Sequence, residues 1–212
     1  DRVFLFLLEW KWTQIRDMLS KRVSAYSDGK INDFEKLFKS RKSLGRVILF
    51  SELSPRDCVR ICNRILSEQF KNNPESIVFE DHIVNNSIEL FCKEKSQELI
   101  INSANFKYLT KTNHVSFTIE ELVNNKVASD SPAIRNIINP WTTSGYLKKI
   151  GLVNRKNAKA VNEYAFQDIR LAFMSCPTLN IDDFITNKVR RCKENSCKFF
   201  YYRDFDRKSY SC

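Results

Sequence analysis

The sequence predicts a mainly α protein in three parts: a helical bundle, a small α/β piece closed by a β-hairpin, and a short Cys-rich tail. Three observations predict it. Glycine is scarce, with 4 residues against 16 Phe in 212, which favours packed helices over a glycine-rich sheet protein. From residue 117 to 166 the pattern runs helix, helix, helix, strand, basic turn, strand. Past residue 177 comes one more helical stretch, followed by Cys192, Cys197 and Cys212.

Each element has its own reason. Residues 1–8 form an apolar run that reads as a buried strand. Ile15, Met18, Leu19 and Val23 recur at helical spacing after Trp12, with Arg16, Lys21 and Arg22 outside. Asp28-Gly29 breaks that helix. Residues 31–38 are a short amphipathic segment, and residues 47–50 are apolar and buried. Ser54-Pro55-Arg56-Asp57 is a helix start, with Ser at the N-cap, Pro at the first helical position and an acid three residues on. The helix it opens runs to about Phe70 and is expected to bury Val59, Cys62, Leu66 and Phe70. Residues 80–109 give one or two further helices with Ile83, Ile88, Phe91, Leu99 and Ile100 inside.

Thr118 caps a short helix, and Ser129-Asp130-Ser131-Pro132 opens another, which Pro140 is expected to kink. Helix is expected to resume over 141–150 and stop at Gly151. Leu152-Val153, a basic turn at 155–159 and the alternating 161–166 then form a hairpin. This order of elements is that of a winged helix over 116–176. It follows a helical part over 1–115 and precedes a linking helix and tail over 177–212.

Composition narrows the function. At 42% apolar and 28% charged the chain is too apolar for wholesale disorder. A net charge of +10 favours phosphate-rich partners. No apolar run approaches the ~18–20 residues of a membrane span, so no membrane partner is expected. Seven Cys, several inside helical apolar patterns, point to free thiols in the reducing cytoplasm. The two His, His82 and His114, sit in no recognisable nucleophile pattern, and Glu120-Glu121 and Asp182-Asp183 diverge on a helix.

Arg56, Arg60 and Arg64 stand four residues apart on one helix face. The unpaired N–H groups of the first turn lie beside Arg56, so phosphate could be gripped there. The plainer reading is a solvated basic face. The run Ser54-Pro55-Arg56-Asp57-Cys58-Val59-Arg60-Ile61-Cys62-Asn63 resembles the S/N-P-R-D-x-x-R-x-x-N signature of bacterial P-loop ATPases of the KAP and STAND-like group. Residues 12–22 are similar to the segment that often precedes it, so the resemblance spans roughly residues 10–110. It implies a helical lid or sensor-type subdomain whose Arg56, with Arg60, reaches nucleotide phosphates. It also implies an ATPase core upstream as partner, an oligomeric full-length protein and a nucleotide-dependent switch in antiviral defence. These residues contain no G-x-x-x-x-G-K-[ST], so ATP and Mg²⁺ are expected only where a P-loop core precedes residue 1.

Two uses of the winged helix stay open. One is nucleic-acid contact through Arg135, Lys148, Lys149, Arg155, Lys156 and Lys159. The other is docking onto the core or another protein. A non-enzymatic DNA-binding module or an assembly subunit is the alternative to the ATPase reading. In the tail, Cys192-x4-Cys197 and Cys212 resemble the treble-clef or ribbon ends of some bacterial proteins, which implies a structural Zn²⁺. The fourth ligand lies beyond Cys212 or is Cys176, His82 or His114, and free cysteines are the plainer alternative.

Overall fold

The computed structural model describes residues 10–100, 103–155, 158–191 and 200–202. The apolar run at 1–8, Lys156, Cys192, Cys197 and Cys212 lie outside the described residues. No described helix is long and apolar enough to cross a membrane. The chain divides into two compact units, Asp1–Phe91 and Cys92–Cys212, each described by itself.

The first unit is helical. Helix α1 (Trp12–Tyr26) buries Ile15 and Leu19. A 3-10 turn at Phe34–Leu37 is capped by Asp33, whose carboxylate accepts from Glu35 N–H. Phe34, Phe38 and Phe79 pack edge to face, with ring centroids 5.2 and 5.3 Å apart. Helix α2 (Arg41–Ser51) starts at the N-cap Ser40. The apolar stretch 47–50 is therefore its last turn, with Val47 and Phe50 fully buried.

Helix α3 (Pro55–Asn72) begins as expected, with Ser54 Oγ accepting from Asp57 N–H at 3.3 Å and Pro55 first. Its inner face is not the expected one. Cys58, Ile61 and Ile65 are fully buried and Gln69 nearly so, whereas Leu66 is 58% and Phe70 69% exposed. Two apolar stripes wind around this helix one residue apart, and the unit buries the one ending in Gln69. The Gln69 amide oxygen accepts from Glu80 N–H at 3.1 Å, where it ties the chain entering α4 (Asp81–Leu99). An apolar side chain at 69 could not satisfy that donor. In α4, Ile83, Val84, Ile88 and Phe91 fill the core.

Beyond Phe91, α4 carries the chain into the second unit. There follow α5 (Ser103–Thr112), β1 (Ser116–Thr118), α6 (Ile119–Asn124), α7 (Ser131–Thr143), β2 (Leu147–Arg155) and β3 (Ala158–Phe166). The three strands form an antiparallel sheet in the order β1-β3-β2. Thr118 and Glu121 make a reciprocal capping box at α6. Asp130 caps α7 by accepting from Ala133 N–H at 2.8 Å. Pro140 does not divide α7, which continues to Thr143. Of the helix expected over 141–150, residues 141–143 are the end of α7, and the rest is a turn with Gly145 at φ 75° followed by β2 from Leu147. Gly151 lies inside β2, beside a register shift, and is not a stop.

The core of this unit joins sheet to helices through aromatics. Phe166 lies 5.7 Å from Phe117 and 6.0 Å from Trp141, ring centre to ring centre. Ile134, Ile138, Leu109, Leu122 and Leu147 are buried in the same unit. Helices α8 (Ile169–Met174) and α9 (Ile181–Lys188) follow, packed through Phe173 and Phe184 at 5.2 Å. The expected linking helix ends at Lys188, where Val189–Arg191 becomes strand β4, paired antiparallel with β5 (Phe200–Tyr202).

Candidate nucleic-acid interface

Helix α7 buries Ile134, Ile137, Ile138 and Trp141, a 3.6-residue stripe that fixes which side is left outside. The outer side carries Pro132, Arg135, Asn136, Asn139, Thr142 and Thr143. Arg135 is the single charged residue of the thirteen, and none is acidic. Amides, hydroxyls and one guanidinium are groups that bond to base edges and phosphates alike. Asn136 is legible in the sequence as part of this exposed side, whereas Asn139 and Thr143 carry no charge that marks them. Counting polar groups opposite the Ile134/Ile137/Ile138 stripe would have found them.

The hairpin places the lysines in two groups. Lys148 and Lys149 are exposed at the base of β2, opposite Ala165 and Tyr164. Lys159 is exposed near the other end, where Arg155 pairs with Ala158. Lys149 and Arg155 stand six positions apart along the strand, roughly 20 Å. The basic residues thus do not form one cluster. They mark a base beside the end of α7 and a tip.

The first unit deals differently with its arginines. Arg56 is exposed on the first turn of α3. Arg60 pairs with Asp57 at 3.8 Å and lies 5.4 Å over the Phe91 ring. It thus does structural work, with its charge directed at its own unit. Elsewhere in that unit, Asp81 accepts hydrogen bonds from Ser43 Oγ at 2.5 Å and Ser40 Oγ at 3.0 Å. Those bonds, with Arg46 and Lys39 nearby, hold its carboxyl below the usual range against the opposing effect of burial. The contact with Glu80, at 2.8 Å, raises Lys39.

Cys192, Cys197 and Cys212, the expected zinc ligands, lie outside the described residues. Of the suggested fourth ligands, Cys176 is buried, with its sulfur 3.8 Å from Ser175 Oγ, and the backbone carbonyl of His114 accepts from the same hydroxyl at 2.9 Å. Among the described residues no three His, Cys, Asp or Glu side chains gather as a metal would need. The ladder β4–β5 sets residue 191 opposite residue 200. No protein-family model and no curated protein matches the chain.

Proposed function

We propose that the second unit is a winged helix that binds duplex nucleic acid, with α7 as the groove-facing helix and the β2–β3 hairpin as the wing. The observation that carries this reading is the topology. The order α5, β1, α6, α7, β2, β3 with sheet order β1-β3-β2 puts one helix with an acid-free outer face directly before a basic hairpin. Arg135, Lys148, Lys149, Arg155, Lys156 and Lys159 supply the phosphate contacts. A Zn²⁺ held by Cys192, Cys197 and Cys212 would serve as a structural staple for the tail, with no part in catalysis.

The test is fluorescence anisotropy of a labelled duplex. Affinity should fall about 10³-fold or more between about 50 and 200 mM salt if six phosphates are neutralised. Each of Lys148→Glu, Lys149→Glu and Lys159→Glu should weaken binding without altering the far-UV spectrum. Absence of any salt-dependent shift leaves docking onto a protein as the use of this surface.

One observation favours a wider reading, in which these residues are the regulatory part of a P-loop ATPase. Arg56 is free to face outward at a helix start while Arg60 turns inward. In the full-length ATPase, Arg56→Ala should lower hydrolysis about 10²-fold, whereas Arg60→Ala should act through stability. Unchanged turnover in Arg56→Ala excludes the phosphate role.

A further inference from the structure

We propose that Asn136 and Asn139 are the base-reading residues of α7, and that the second unit takes B-form duplex DNA with adenines at neighbouring positions. This rests on the winged-helix reading above and names the substrate class of that surface. The buried stripe of α7 is Ile134, Ile137, Ile138 and Trp141. At about 100° per residue, Asn136, Asn139 and Thr143 lie diametrically opposite that stripe, on the centre line of the outer side. All three are exposed. Arg135 and Thr142 stand about a quarter-turn away from the line. No hydrogen bond ties the Asn136 or Asn139 side chain to another described residue.

Charge is divided between helix and hairpin in a way that favours base edges for the helix. From Ser131 to Asn162 the chain holds no acid. Arg135 is the cation of α7, whereas Lys148, Lys149, Arg155 and Lys159 stand on β2 and β3. Cations supply the sequence-independent grip on phosphates, so a helix that only tracked the backbone would carry them on its centre line. A helix that docked on a protein would present an apolar anchor there. On α7 no large hydrophobic side chain is exposed. An uncharged carboxamide instead offers one acceptor and two donors side by side, the pattern that a base edge can match.

The carboxamide also names the base. Its oxygen accepts from the adenine N6 amino group while its NH₂ donates to adenine N7, and both adenine groups face the major groove. Residues three apart on a helix are separated by about 4.5 Å along its axis. That is close to the roughly 3.4 Å between successive base pairs, so the two amides can address neighbouring adenines. The same geometry sets DNA apart from RNA. A helix enters the B-form major groove, which is about 12 Å wide. The major groove of duplex RNA is too deep and narrow for side chains to read.

Selection by the full-length protein from duplex DNA with a randomised centre tests this. Enriched duplexes should share adenines at two fixed, neighbouring positions. Asn136→Ala and Asn139→Ala, both at exposed sites, should each lower the preference at one of these positions about tenfold or more. The salt dependence of binding should persist in both, because it comes from the hairpin cations. Lys148→Glu should do the reverse, weakening selected and scrambled duplexes alike. Salt-dependent binding with no enriched sequence overturns the inference and leaves the winged-helix reading standing. So does an enriched sequence whose preferences neither asparagine substitution moves, or an RNA duplex of the selected sequence bound as tightly as the DNA. Failure to bind any duplex at low salt overturns the winged-helix reading itself, and this inference with it.

Discussion

Asp81 is the N-terminal residue of α4, and two serine hydroxyls from the start of α2 converge on one of its oxygens. Because its folded pKa is depressed, its stabilising effect is present above the unfolded value near about 3.9 and fades as pH falls through the lower folded value. Asp81→Asn should therefore cost about 1 kcal/mol in urea unfolding at pH 7, and the gap to wild type should close as pH falls through the lowered folded value. A gap that persists unchanged in acid would mean the carboxylate charge is irrelevant. This cluster was hidden in the sequence because its members lie some forty residues apart. Beside it, Arg46 is 4% exposed and donates to Asn85 Oδ1 at 2.6 Å, yet nothing around it in the chain distinguishes it from a solvated arginine. Thr118 and Asp130, in contrast, could be read directly, since a cap acts on the three residues after it.

Helix α3 shows where periodicity stops being informative. Its start was readable from Ser54-Pro55, but Cys58/Ile61/Ile65 and Val59/Cys62/Leu66/Phe70 have the same period and differ by one residue, about 100° of rotation. What chooses between them is a bond to Glu80 N–H, made by the residue that hydropathy alone would place outside, Gln69. Ile61→Ala should accordingly cost about 2–5 kcal/mol, as for a filled core site, and Leu66→Ala within about 0.5 kcal/mol. Chemical denaturation of the two variants checks it, and equal losses would restore the other face. The helix α7 was misread at its far end for a related reason. Pro140 lacks only one donor in a helix that ends three residues later, so its cost there is small, and Gly145 in the left-handed region makes the real break.

At the scale of the molecule, most of the helices and the hairpin were visible in the sequence, because each rests on local spacing, while the third helix expected before the hairpin is the end of α7 and the start of β2. The pairing of β1 with β3 was not visible, since Ser116–Thr118 is three residues long and finds its partner over forty residues away. The tail poses the same problem in a sharper form. β4 and β5 pair over three residues each, and a two-stranded ribbon is marginal in water by itself. The segment 189–202 is short and carries five charges, so burial alone does not account for a fixed ladder. A metal held by Cys192 and Cys197 would clamp the span that joins the two strands, and Cys212 would add a third thiolate. Thiolates must be deprotonated to bind, so the clamp should loosen as pH falls and the sulfurs regain protons. Elemental analysis of the purified full-length protein should give about one zinc per chain. Cys197→Ser should lose the metal, and amide exchange of residues 189–191 and 200–202 should then accelerate. Exchange that is equally slow with and without chelator would show that the ladder stands on its own and that these cysteines are not a staple.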